Sequence, residues 1–263
     1  MSNAGRVLYR DRAIVVVALS TLVVVAWVFL WRGAGMGMSA TDMTTFSLFP
    51  HLQRDISGDM GTPRLVVVLM WWVMMIAMMT PGAVPFVLLY NRVLRHHSEP
   101  GVTAVASPLL ITAGYLVVWF VFSLAAALLQ EALQPTGLIS KMMLWSRSAW
   151  LSASVLVVAG IYQFSPFKQA CLAQCRGPIA FLTKYWKPGW KGAFLLGVRH
   201  GAYCVGCCWT LMLLLFVGGV MNLVWIVALT VLVLVEKLLP AGVFVGKCTG
   251  VILIIWALAT LLV

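Results

Sequence analysis

The sequence predicts an all-α protein: a polytopic transmembrane helical bundle of about seven spans, N-terminus in and C-terminus out. Three observations carry this expectation. Hydrophobic residues make up 62% of the 263 residues and charged residues only 10%, with a mean hydropathy of +1.01, far from the balance of a water-soluble domain. Apolar runs approaching the roughly 20 residues that a bilayer crossing needs recur along the whole chain. Basic residues gather on alternate connections between those runs.

The first run, 13–31, follows Arg6, Arg10 and Arg12 and precedes the small-residue string GAGMGMSA, which invites a signal-peptide reading. Its length and its Trp and Phe content favour a retained anchor. The connection from Arg32 to Arg64 mixes Met36, Met38, Met43, Met60 and His51 with small and polar residues, and reads as a metal-collecting segment or an ordinary loop. The second run, 65–90, contains LMWWVMMIAMMTPGAVP. There Met74 and Met78 share a helix face with Met70, and Met75 and Met79 lie beside them. Pro81 and Pro85 are expected to kink or interrupt this helix and free carbonyls next to the methionines. Spans follow at 108–130 and 147–164. From Ser165 to Lys191, SPFKQACLAQCRGPIAFLTKYWKPGWK mixes basic and aromatic residues as a helix lying on an anionic leaflet does. The fifth run, 192–217, carries RHGAYCVGCCW. The sixth, 220–236, holds Asn222 near its start and ends in Glu236-Lys237, and the last, 249–262, is the shortest. No strong repeat, low-complexity tract or long soluble insertion divides the chain, so 1–263 reads as a single integral membrane domain.

A net charge of +11 would point to nucleic acid in a soluble protein, but topology accounts for it here and no nucleic-acid partner is expected. With the N-terminus inside, Arg6, Arg10, Arg12, Arg92, Arg95, Lys168, Arg176, Lys184, Lys187, Lys191, Lys237 and Lys247 face the cytoplasm. Arg32, Arg54, Arg64, Lys141 and Arg147 face outward, and Arg199 falls inside a span. The bilayer expected is the bacterial inner membrane. Cys171, Cys175 and Cys248 then lie near the inner face, Cys204, Cys207 and Cys208 lie within the fifth span, and the outer loops have no cysteine. A structural disulfide framework is not expected.

His200, Cys204, Cys207 and Cys208 stand at i, i+4, i+7 and i+8, an arc of roughly 100° on one helix face. Imidazole and thiolate donors converging inside a bundle suit Cu(I), with zinc as the second choice. The thioethers of Met74, Met75, Met78 and Met79 tilt the choice to copper, which they bind and zinc does not. Cysteine as a small hydrophobe and methionine as a gap-filler are the packing alternatives. Cys171 and Cys175 lie one turn apart, with Lys168 and Arg176 near enough to favour thiolate. They are candidates for a pair that exchanges metal with a donor or acceptor protein, with Cys248 as a neighbour in space; lipid-modified or inert thiols are the alternative. Glu236 pairs with Lys237 or the lipid interface, or turns inward to relay a proton or balance a cation. Arg199 needs a partner within the membrane, and Glu236 is the candidate.

Together the segments MMIAMMTPGAVPFVLLY (74–90), GYLVVWFVFSLAAALLQ (114–130), GIYQFSPFKQACLAQCRGP (160–178), GVRHGAYCVGCCW (197–209) and FVGGVMNLVWIVALTVLVLVEKLLP (216–240) resemble an uncharacterised bacterial family of predicted metal-binding integral membrane proteins. The resemblance spans nearly the whole chain. It implies that the Met run, the paired cysteines, the His-Cys stripe and the Glu-Lys step belong to one site or pathway.

The leading expectation is therefore a membrane metal-handling protein that binds Cu(I) within the bundle for transport or delivery to a partner. The chain has no GxxxxGK[ST] loop and no DKTG-type phosphorylation loop, so pumping by this chain alone is not expected. The alternatives are a membrane thiol-disulfide oxidoreductase using Cys204 and Cys207, and a non-catalytic accessory subunit.

Overall fold

The computed structural model describes residues 3–35, Thr44, Phe49, 63–97, 106–140 and 144–263. Met36, Met38, Met43, Met60, His51, Arg54 and Lys141 lie outside the described residues, as do the side chains of Arg6, Arg10, Arg12 and Arg95. Apart from one isolated bridge between Ile139 and Ser146, all regular structure among the described residues is helical. The helices are α1 (Asn3–Trp31), α2 (Arg64–His97), α3 (Ala106–Leu133), α4 (Ala149–Gln163), α5 (Pro166–Arg176), α6 (Pro178–Tyr185), α7 (Gly189–Leu213), α8 (Leu215–Gly218), α9 (Leu223–Leu238) and α10 (Gly242–Leu262).

Five segments are long and apolar enough to cross a membrane: Ala13–Trp31, Arg64–Leu94, Ser107–Leu133, Gly189–Gly218 and Gly242–Leu262. A sixth is the pair α4 and α5 taken together, bent by 64°. Two of the seven expected spans thus take a different form. The 147–164 stretch stops as a helix at Gln163, because Pro166 biases Ser165 to an extended backbone (φ −62, ψ 133) and Ser165 then caps α5. The 220–236 stretch becomes α9, whose 16 residues begin only after Asn222 caps it. At 1.5 Å per residue α9 rises about 24 Å, short of a hydrocarbon core of roughly 30 Å.

Helix ends leave carbonyls without partners, and these must be met from elsewhere. Past the end of α9, Arg176 Nη2 donates to the carbonyls of Leu239 and Pro240 at 2.9 and 2.8 Å. α2, by contrast, runs unbroken through Pro81 and Pro85, against the expected interruption. It lies antiparallel to α3: Arg64 meets Glu131 at 2.5 Å, Trp71 Nε1 donates to Gln130 at 2.8 Å, and Tyr115 donates to the Met79 carbonyl at 3.0 Å.

The most extensive helix interface joins α3 and α7. Backbones touch there because two positions lack a side chain. A Cβ on Gly114 would fall on the Phe194 carbonyl, and one on Gly197 would fall on the Ile111 carbonyl. Small residues that admit close backbone contact are what membrane helices use to associate. This tight pair fixes α7, and with it the cysteines, against α3.

Candidate metal centre

α7 turns one stripe inward, leaving His200 3% exposed and Cys204, Cys207 and Cys208 each 1% exposed. Its sulfurs form a connected group. Cys204, Cys207 and Cys208 share one buried core with Cys171 of α5, and Cys175 of α5 packs against that core. At the other side, Cys208 Sγ lies 3.9 Å from Met79 Sδ of α2. The thiols of Cys207 and Cys208 also point to the Cys204 carbonyl, at 3.1 and 3.0 Å.

Two further groups, neither of them an expected metal ligand, stand at Cys204. Lys237 Nζ donates to Cys204 Sγ at 2.9 Å, and the Tyr115 hydroxyl lies 3.0 Å from the same sulfur. Lys237 reaches it from the end of α9 by running its stem over Gly82, where a Cβ would stand 3.4 Å from Lys237 Cδ. Basic-residue counting assigns Lys168 and Lys237 to the inner surface, yet both are buried, at 1% and 6% exposure. The physical reason is that each has an acceptor inside: Lys237 has Cys204, and Lys168 bonds Glu236 Oε2 at 2.7 Å and Gln163 Oε1. A cation sunk in an apolar bundle is costly without such a partner. Two buried lysines thus stand beside one buried carboxyl group and the Cys204 thiol.

α5 brings Cys171 and Cys175 to α7 rather than to the surface. Cys171 is buried against Gly206, where a Cβ would approach its sulfur to 2.8 Å, and Cys175 is half-buried and packs against the core that contains Cys207. The nearby cations are committed elsewhere, Lys168 to Glu236 and Arg176 to carbonyls, so they do not serve these thiols as expected. Cys248 is exposed on α10.

His200 takes a separate place. Its ring stacks on Phe86 (4.2 Å, 12°) and meets Phe181 edge-on at 5.4 Å, and its Nδ1 has no hydrogen-bond partner among the described residues. It lines a cavity of about 10 Å³ with Thr80, Phe86 and Tyr115. Arg199 does not meet Glu236; its guanidinium lies over the Tyr185 ring at 4.9 Å, where α6 packs beside α7. Of the expected methionines, Met74, Met75 and Met78 are buried in the same core, and Met79 is the one seen at a thiol.

Among the described residues, no group of three or more His, Cys, Asp or Glu side chains is arranged ready to hold a metal ion. The sulfurs are gathered, but two of them bond a carbonyl and would have to rotate to ligate. The Glu236-Lys237 step was placed with the cysteines only through the family resemblance, and Tyr115 escaped the sequence reading. The signal for Lys237 was a lysine closing an apolar run; for Tyr115 no spacing marked it.

A family model, PpoB2, described as a copper chaperone, matches residues 68–260. That range contains every sulfur, lysine and carboxylate of the centre. No curated protein and no solved structure matches the chain.

Proposed function

The chain belongs to the PpoB2 copper chaperone family, and on that premise we propose that it holds Cu(I) on the thiolates of Cys204, Cys207 and Cys208 within a bacterial inner-membrane bundle. From there it passes the ion to a partner protein. The observation that carries this is the contact of Lys237 with Cys204 beside two further α7 thiols and the Met79 thioether. Soft sulfur donors select Cu(I) over harder ions, and Cu(I) is content with a low coordination number. A bis-thiolate Cu(I) complex bears a net negative charge, which the Lys237 ammonium offsets in a setting without water. Rotation of the Cys207 and Cys208 side chains away from the Cys204 carbonyl frees their sulfurs for the metal. Cys175, at the α5 side of the group, is the exchange thiol through which copper passes to or from the partner. His200, with an unpartnered Nδ1, is a flanking donor.

The test is Cu(I) titration of the detergent-purified protein against a chromophoric Cu(I) chelator. Binding that is lost on Cys204→Ser with Cys208→Ser supports the proposal; binding unchanged by both overturns it. A second reading, a thiol-disulfide oxidoreductase, is favoured by Cys175 packing against the core that contains Cys207. It requires a disulfide between those two residues, seen as an alkylation shift after mild oxidation, and no copper bound by the reduced protein.

A further inference from the structure

The basic segment from Ser165 to Lys191 divides in two in the structure. Its first two cations are taken up by the protein itself, Lys168 by Glu236 and Arg176 by the Leu239 and Pro240 carbonyls. Its last three, Lys184, Lys187 and Lys191, are exposed where α6 gives way to α7. Arg199, half-buried on α7, meets Lys184 at one ring. The guanidinium lies 4.9 Å from the Tyr185 centroid, and Lys184 Nζ lies 5.2 Å from the same centroid.

A ring face offsets only part of a cation's charge. The two carboxylates among the described side chains stand elsewhere, Glu131 at Arg64 and Glu236 at Lys168. No acidic residue occurs between those two glutamates in the sequence. The hydroxyls add to the imbalance. Tyr185 and Tyr203 lie oxygen to oxygen at 3.0 Å. One phenolic hydrogen makes that bond, so the other is left to donate to a third group. An ammonium, a guanidinium and a spare hydroxyl thus gather at Tyr185 with hydrogens to give and no anion to take them. An anion with several oxygens satisfies such a set, and phosphate suits the arginine fork in particular.

The helices that carry these donors also present apolar surface. On α6, Phe181 and Leu182 are buried while Ile179 is 68% exposed. At the start of α7, Trp190 is 60% exposed, with Lys191 Nζ 5.3 Å from its ring. A free phosphate needs only the donors. A phospholipid meets both, its headgroup on the cations and its acyl chains on the exposed apolar side chains.

We propose that Lys184, Arg199 and the hydroxyl pair of Tyr185 and Tyr203 form a binding site for the phosphate of an anionic phospholipid, seated where α6 meets α7. The headgroup oxygens take the donors, and the acyl chains lie along Ile179 and Trp190. The site contains no sulfur and does not depend on the copper reading above.

The test uses the full chain in detergent, mixed with equal amounts of phosphatidylglycerol and phosphatidylcholine of the same acyl chains, with bound lipids counted by native mass spectrometry. The native chain is expected to retain phosphatidylglycerol in preference. Lys184→Gln and Arg199→Gln are each expected to weaken phosphatidylglycerol binding about fivefold, the effect of one cation at an anionic lipid surface, and to leave phosphatidylcholine binding as it is. Lys247→Gln, which removes an exposed cation on α10, is expected to keep the full preference. Lys184 is exposed, so its variant keeps the test open should Arg199→Gln fail to fold. Equal retention of the two lipids by the native chain, or an unchanged preference in Lys184→Gln, overturns the proposal. A preference lost equally in Lys247→Gln overturns it in favour of diffuse charge. Displacement of phosphatidylglycerol by millimolar inorganic phosphate overturns the lipid as occupant in favour of the free ion.

Discussion

Lys237 Nζ donates to Cys204 Sγ across 2.9 Å, with both side chains buried inside the bundle. An ammonium in that position stabilises negative charge on sulfur, whether as a free thiolate or as a copper thiolate. Lys237→Met is expected to lower Cu(I) affinity by about 10- to 100-fold, the range seen when an outer-shell partner of a metal ligand is lost. The amount bound at saturation stays the same. Competition with a chromophoric chelator reads the shift, and equal affinity in the variant contradicts the role assigned to Lys237. Lys237→Arg, which keeps the charge, is expected to recover part of the loss.

Lys168 and Glu236 form a buried ion pair, with side chains 1% and 2% exposed. Removing one partner strands the other, so Lys168→Met alone is expected to cost about 3–5 kcal/mol of stability. Lys168→Met combined with Glu236→Gln is expected to cost less than Lys168→Met alone. Thermal midpoints in detergent separate the two cases.

Gly197 lets α7 lie on the backbone of α3 at Ile111. Gly197→Ala is expected to destabilise the fold by about 1–3 kcal/mol, the usual cost of overfilling a packed interface. A lower thermal midpoint with unchanged copper content in the protein that remains folded is the expected outcome.

Met79 is the thioether at Cys208, 3.9 Å away. Met79→Leu conserves volume and is expected to cost less than about 1.5 kcal/mol of stability. It removes a soft donor, so copper is expected to leave faster to a chelator; unchanged release would assign Met79 to packing alone.

Six crossings, with α4 and α5 as one bent span and α9 too short to cross, return the chain to its starting side. A reporter fused after Val263 is then expected to be active on the same side as one fused before α1. Activity on opposite sides would mean that α4 and α5 do not cross together or that α9 crosses as well.

What the sequence made legible and what it hid divide along a physical line. The stripe of His200, Cys204, Cys207 and Cys208 could be read because helical periodicity alone places those residues on one face, and the structure keeps the stripe buried. The methionine run of α2 was legible for the same reason. The pairing of Lys237 with Cys204, and of Lys168 with Glu236, was not, because it depends on how α5 and α9 pack on the other helices. The charge rule that places lysines at the inner surface has no knowledge of an acceptor waiting inside. The bend before Pro166 was marked by the Ser165-Pro166 step, yet the apolar run around it looked like one span. Arg199 found an aromatic face instead of a carboxylate, a partner that sequence spacing does not reveal.

The most direct test of copper binding by the α7 thiols is elemental analysis of the purified protein, native beside the Cys204→Ser, Cys207→Ser, Cys208→Ser variant, after growth with added copper and with added zinc. Near-stoichiometric copper in the native protein, absent from a variant that folds as well, is the result expected. Copper absent from both proteins, or retained in full by the variant, would contradict it.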